Sequence, residues 1–312
     1  MFRPGQPDTR KAGHPVFDIL FIGLSLSSIL LLVALGLAVT YGAMGIINMA
    51  HGEMVMIGAY VAVMSNIWLG ANLLLAIPLA FLVTAALGYG LERLVVRRLY
   101  GRLLDTLLAT WGIAILLQQA IRLEFGLTFF GIHIEGLGSG LQNVPVPQFL
   151  QGTLALFGLH LNSYRVFIVL VTLALAGLTW ITLYRTPLGM KVRAIIRNPQ
   201  VAAACGIDVK ATNAITFALG SGLAGVAGVL MAGFRSVSPD MGATMVVDGF
   251  MVVVTGGVGS LLGTVAAAGI LGEINALVAI FFNEIAARAS VLLVVILVIL
   301  LRPAGLFSFK GR

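Results

Sequence analysis

An all-α, polytopic transmembrane helical bundle is the fold class this sequence predicts, on three observations. Of its 312 residues, 59% are hydrophobic and only 10% are charged, where a water-soluble domain carries roughly 25% charged residues. The mean hydropathy is +1.05. Apolar runs recur at the length, about 20 residues, that a helix needs to cross a hydrocarbon core about 30 Å thick. Lipid offers the backbone no hydrogen-bond partner, so a spanning segment must satisfy its own amides and carbonyls as a helix.

The first run, residues 16–39, follows a short basic stretch and exceeds the roughly 7–15 residues of a signal-peptide core, so it reads as a retained span. The next apolar stretch, 41–67, is interrupted near its middle by Asn48, His51, Gly52 and Glu53, and reads as a broken or re-entrant element. Clear spans follow at 73–91, 106–121, 166–184, 214–232, 261–281 and 289–301, with a shorter run at 242–258. Counting that shorter run gives eight spans; a full crossing by 41–67 would make nine. Between the spans, 130–161 is the long loop, rich in glycine and proline, and 201–216 carries an apolar pattern that suggests a short helix along one face. Many of the 38 glycines sit inside apolar runs. Gly220, Ala224 and Gly228 recur at every fourth position, a small-residue stripe on which another helix can lie close, and Gly259 and Gly263 repeat the device.

Orientation follows from lysine and arginine, which short loops retain on the cytoplasmic side. Bases crowd into 92–105 (Arg93, Arg97, Arg98, Arg102), 185–210 (Arg185, Lys191, Arg193, Arg197, Lys210) and the tail (Arg302, Lys310, Arg312). Alternating spans put all three on one side, so the C-terminus is expected in the cytoplasm. Eight spans, the count adopted, place Arg3, Arg10 and Lys11 there too; nine would place them outside. The net charge of +7 does not point to nucleic acid, because the bases lie between apolar segments rather than on a face interleaved with aromatics.

Polar side chains inside apolar runs are expensive and default to a bundle interior or a polar pathway. Asn48, His51 and Glu53 qualify, as do Thr110, Gln118, Gln119 and Asp248. Each also admits a plainer reading, as a cap or a helix–helix hydrogen bond. His51 and Glu53 lack the His-Glu-x-x-His pattern of a zinc site, and no metal or other cofactor is expected. The run from Gly220 to Gly225 matches G-x-G-x-x-G but follows no strand, and no G-x-x-x-x-G-K-[ST] cradle for ATP occurs. Ser221 has no catalytic histidine in any nearby span. The single cysteine, Cys205, reads as a small apolar side chain. The chain is therefore not expected to be an enzyme.

The runs Gly45-Ile-Ile-Asn-Met-Ala-His-Gly-Glu53, Met56-Ile-Gly-Ala-Tyr60 and Thr216-Phe-Ala-Leu-Gly-Ser-Gly-Leu-Ala-Gly225 resemble the branched-chain amino-acid ABC permease superfamily nearly end to end. Within it, Ala109-Thr-Trp-Gly112, Leu117-Gln-Gln-Ala120, Phe250-Met-Val-Val-Val254, Gly256-Gly-Val-Gly259 and Arg302-Pro-Ala-Gly-Leu-Phe307 look most like the urea importer's permease subunit. The resemblance implies that 1–312 is a single permease domain in a bacterial inner membrane. Its implied partners are a homologous second permease, two ATP-binding subunits that hydrolyse ATP, a periplasmic solute-binding protein and membrane lipid. It also implies an ATPase-coupling segment at 185–213. There Ala202-Ala-Ala-Cys-Gly206 looks like this family's form of the docking loop, without its usual glutamate, and Arg193, Arg197, Asn198 and Ala203 supply the surface. The expected cargo is a small amide-like solute, urea first. A branched-chain amino acid is the alternative, and a passive urea or water channel the second.

Overall fold

The computed structural model describes residues 15–156 and 159–307. Among these the chain is mostly helix: α1 (Pro15–Met44), α2 (His51–Leu69), α3 (Leu73–Leu94), α4 (Leu103–Arg122), α5 (Ser163–Arg185), α6 (Pro187–Arg197), α7 (Pro199–Ala204), α8 (Val209–Ala232), α9 (Met241–Gly256), α10 (Leu261–Phe281) and α11 (Glu284–Leu301). Eight of them are long and apolar enough to cross a membrane, and α9, at 16 residues, is shorter.

Polar caps start many of these helices. Asp208 accepts from the Ala211 amide at 2.9 Å to open α8, and Asn283 does the same for Ala286 at 2.7 Å in α11. Asn162 and Ser260 cap α5 and α10. Each satisfies an amide that the helix itself leaves without a partner.

The basic segments collect on one face. Arg97 donates to the Lys210 carbonyl at 3.3 Å, the Leu306 amide to the Thr255 carbonyl at 2.8 Å, and Gly42 at the end of α1 lies against Gly259. The opposite face carries residues 131–156 and 159–162, called here the loop face. Arg165, at the start of α5, donates to Ser25 near the start of α1 at 2.7 Å, so α1 begins on the loop face and ends on the basic one.

From there the helices alternate. Of the helices between the two faces, α2, α4, α8 and α10 run to the loop face, and α3, α5, α9 and α11 run to the basic face. This corrects the expected placement of the chain's start. Eight spans put the N-terminal side of α1 on the basic face; here both α2 and the shorter α9 change the face of the chain, so α1 starts on the other side. Arg3, Arg10, Lys11, Lys310 and Arg312 lie outside the described residues.

Three further differences have physical causes. The broken element resolves into an unwound stretch at 45–50, begun by Gly45 at φ +67°, followed by an unbroken α2 that starts at His51. The polar triad thus marks the start of a helix, not its middle. The short helix expected over 201–216 ends at Ala204, because Gly206 adopts a left-handed φ of +82° and Asp208 then caps α8. Cys205 there is exposed. The long loop contains an antiparallel hairpin, β1 (Thr153–Leu156) with β2 (Leu159–Asn162), in which Thr153 pairs Asn162. A bridge between Gln142 and Val237 ties this loop to the 233–240 turn.

The core forms around α8, which packs on α1, α2 and α3 and is buried along nearly its whole length. Its glycines permit this. A β-carbon on Gly220 would meet the Gly36 carbonyl and Thr40 of α1, one on Gly225 would meet Thr84 of α3, and one on Gly228 would meet the Val55 carbonyl, while a β-carbon on Gly58 of α2 would meet the Gly225 backbone. The small-residue stripe therefore receives two helices, α1 at one end and α2 at the other, with Ala224 buried between them. Gly263 packs in the same way, on the Gly256 carbonyl. Gly259 does not: nothing lies within 4 Å of its missing side chain, and its φ of +81° is the reason for a glycine there.

Candidate solute pathway and coupling face

After α1 reaches the basic face, the chain turns back toward mid-bundle before α2 begins. Its amides there are held by unlike partners: the Gly45 amide donates to the Tyr41 carbonyl at 2.8 Å, the Met49 amide to Thr110 Oγ1 on α4 at 3.1 Å, and the Ala50 amide to Asn48 Oδ1 at 3.1 Å. His51 then directs Nε2 at the Val33 carbonyl of α1, 3.1 Å away. Asn48, His51 and Glu53 are only 1%, 0% and 3% exposed, and Asn48 Nδ2, His51 Nδ1 and Glu53 Oε2 have no hydrogen-bond partner. Such atoms are costly to bury.

Opposite α2, α9 also begins inside the bundle. A β-carbon on Gly52 would strike the Gly242 carbonyl, and one on Gly242 would lie 2.6 Å from Glu53 Oε2. Two helix N-termini therefore meet, one entered from the basic face and the other from the loop face, and the Glu53 carboxylate lies at both. A carboxylate is favoured in that position, because the unsatisfied amides of a first turn carry partial positive charge. In transporters built from discontinuous helices such paired ends point at cargo. Here a side chain of the protein occupies the space.

The other expected pathway residues divide between separate places. Thr110 belongs to this buried knot through the Met49 amide. Gln118 stands farther along α4, donating to Asp240 Oδ1 at 2.8 Å and to the Pro239 carbonyl at 3.3 Å, beside an Arg122–Asp240 ion pair. Gln119, half-buried, shares none of these contacts. Asp248 lies on α9 in a cavity of about 310 Å³ toward the loop face, with Arg235, Asn275, Glu284 and Arg288. The sequence reading missed those four. Each lies at a span end or inside an apolar run, which is the signal that was available.

On the basic face, α6 turns Gly189, Val192 and Ile195 inward and leaves Met190, Lys191, Arg193, Ile196 and Arg197 exposed. Asn198 caps α7, accepting from the Gln200 amide at 2.9 Å and the Val201 amide at 3.1 Å. Ala202 is buried, whereas Ala203 and Val201 are exposed. Arg193 donates to the Leu183 carbonyl and lies 5.5 Å over the Tyr184 ring. Next to this surface, Glu92 at the end of α3 is fully buried and accepts from Arg97 at 2.9 and 3.3 Å and from the Tyr100 hydroxyl. Burial and the Glu92 carboxylate push the Tyr100 hydroxyl above the usual phenol range. Because Arg97 also holds the Lys210 carbonyl, the end of α3 is bound directly to the first turn of α8.

Eight helices long and apolar enough to cross a membrane, two helix N-termini that meet inside the bundle and a charged cavity define a multi-pass membrane protein of transporter type. The chain belongs to the family described as the permease component of the branched-chain amino acid transport system, whose model it matches over residues 19–301. It is 31% identical over 297 residues to the high-affinity branched-chain amino acid transport system permease protein BraD of Pseudomonas aeruginosa, covering 92% of this chain and 94% of that one. It is 30% identical over 300 residues to the LivH permease of Salmonella typhimurium, covering 93% and 94%. The LivM permease of the same system in Escherichia coli is 28% identical over 272 residues, 78% of this chain and 60% of that one. No solved structure gives a significant match. Relatives of this kind are transport permeases rather than enzymes.

Proposed function

We propose that the chain is one of two permease subunits of an ATP-driven importer for branched-chain amino acids in a bacterial inner membrane. It would work with a homologous second permease, two ATP-binding subunits and a solute-binding protein, and its basic face and C-terminus would lie in the cytoplasm. The near end-to-end likeness to permeases named for branched-chain amino acid transport carries this reading. It moves the cargo away from urea, which the sequence motifs put first: no relative described above is named for urea. The likeness to LivM as well as LivH supports a paired permease, since two proteins of one system resemble this chain.

In this reading α6 and α7 receive the ATPase. Exposed Met190, Ile196 and Val201, ringed by Lys191, Arg193 and Arg197, offer an apolar centre with a basic rim. Glu92 and Arg97 then carry motion from that surface into α3 and α8.

Proteoliposomes test it. The chain assembled with its genomic neighbours should take up leucine only with ATP and the binding protein, and a hundredfold excess of urea should leave that uptake unchanged. Urea flux through the chain alone without ATP would instead establish the passive channel.

A further inference from the structure

The cavity at Asp248 holds charges of both signs that do not neutralise one another directly. Asp248 is half-buried, while Arg235, Glu284 and Arg288 are exposed at the rim. Both guanidinium groups act on the Asp248 carboxylate electrostatically, yet none of the ion pairs or side-chain hydrogen bonds among the described residues joins them to it. Open space separates acid from base. The remaining wall is mostly apolar and includes Leu30, Met231, Phe234 and Met245, with Asn275 among them. A volume of about 310 Å³ falls at the small end of ligand pockets, which span roughly 300–1,000 Å³ and join apolar walls to a few convergent polar groups.

Separated charges beside an apolar wall match one kind of molecule. A free α-amino acid presents an ammonium and a carboxylate a few bonds apart, with an apolar branch at the same carbon. Urea has no charge to offer either side. An amino acid would pair with Asp248 and the arginines together, and the half-buried Asp248 carboxylate, which lacks an ion-pair or hydrogen-bond partner among the described residues, is the group that gains most.

We propose that this cavity is a binding site for a zwitterionic apolar α-amino acid, its carboxylate held by Arg235 and Arg288, its ammonium by Asp248, and its side chain by Leu30, Met231 and Met245. The site rests on the importer reading and deepens it. It places cargo recognition within this subunit, toward the loop face, and gives the permease a selectivity of its own beside that of the binding protein. The same pairing of ammonium and anion occurs in a phosphatidylethanolamine headgroup, so the test must separate the two sources.

Labelled leucine binding to the assembled permease–ATPase complex without binding protein, in phosphatidylglycerol nanodiscs, is the direct measurement. Leucine and valine should compete for one saturable site; leucinamide, 4-methylpentanoate and urea should not. Asp248→Asn and Arg288→Gln should each weaken binding at least tenfold, and Asp248→Glu should restore part of it. The Asn variant should also lose the discrimination against 4-methylpentanoate. Equal leucine binding in wild type and both variants overturns the proposal, as does absence of binding in a complex that imports leucine. Retention of phosphatidylethanolamine by the wild type, its loss from both variants and no leucine site would assign the cavity to lipid and overturn it as well. A wild-type importer that moves no leucine with ATP and binding protein would instead defeat the importer reading. Size-exclusion profiles identify a variant that fails to assemble, and Arg288→Lys then takes its place with the same expected weakening.

Discussion

Glu53 on α2 faces Gly242 on α9 so closely that a β-carbon on the glycine would come within 2.6 Å of the carboxylate. The two residues belong to the first turns of helices that enter the bundle from opposite faces, and neither could move without disturbing the other. Gly242→Ala should therefore destabilise the detergent-solubilised protein by about 1–3 kcal/mol, the usual cost of overpacking a filled interior. In a Glu53→Ala background the same substitution should cost about 1 kcal/mol less, because contacting residues are not additive. Thermal unfolding of the four proteins checks this, and additive losses would show that the contact carries no energy.

The glycines of α8 should separate from those that face open space. An alanine at Gly228 would collide with the Val55 carbonyl, which is backbone and has nowhere to go, whereas nothing lies within 4 Å of the missing side chain of Gly90 or Gly177. Gly228→Ala should lower the midpoint of thermal unfolding or prevent assembly. Gly90→Ala should stabilise α3 slightly, by about 0.5–1 kcal/mol, since glycine in a helix gives up more backbone freedom than alanine. Equal effects at the two positions would remove the packing account of the stripe.

Much of this architecture was legible in the sequence because lipid leaves few solutions: long apolar runs had to be helices. The fate of 41–67 was not legible. Asn48, His51 and Glu53 show that something breaks, but whether polar residues lie inside a helix or at its start depends on Gly45 adopting a positive φ and on Thr110, 61 residues away, receiving the Met49 amide. The separation of the expected pathway residues was hidden for a similar reason. Gln118 and Asp248 both sit in apolar surroundings, and only the fold sends one to Asp240 and the other to a cavity with Arg235 and Arg288.

On the basic face, the Glu92–Arg97 pair is expected to act in coupling. Glu92 is fully buried while Arg97 reaches the surface and the first turn of α8, so removing one partner strands the other. Glu92→Gln should keep the protein in the membrane, raise ATP hydrolysis per leucine imported several-fold and reduce uptake. Ala203→Glu should do the same from the exposed side, and Asn198→Ala should weaken α7 by about 1 kcal/mol through loss of its cap. Hydrolysis and uptake measured together in proteoliposomes check the first two, and thermal unfolding checks the third; an unchanged ratio in the Glu92 and Ala203 variants would remove this face as the coupling surface.

The last prediction concerns acid and the loop face. Glu124 follows α4, is buried, and accepts from the Ile134 amide and from His133 Nδ1 at 3.1 Å. These donors, the Ile134 amide first, hold its carboxyl below the ordinary value of 4.5. A carboxyl whose folded value is depressed contributes stability that is fully present above its unfolded value and is lost as pH falls through the folded one. The turn from Leu123 to Ile134 should therefore stay protected from amide exchange at pH 7 and at about pH 5, and should open only below the ordinary carboxylate range. Glu124→Gln should open it at pH 7, because a neutral amide accepts more weakly from the same donors. Hydrogen exchange read by mass spectrometry over 123–134 checks both arms. Protection that persists in the variant, or that is already lost at about pH 6, above the carboxylate range, would mean that Glu124 does not hold the turn.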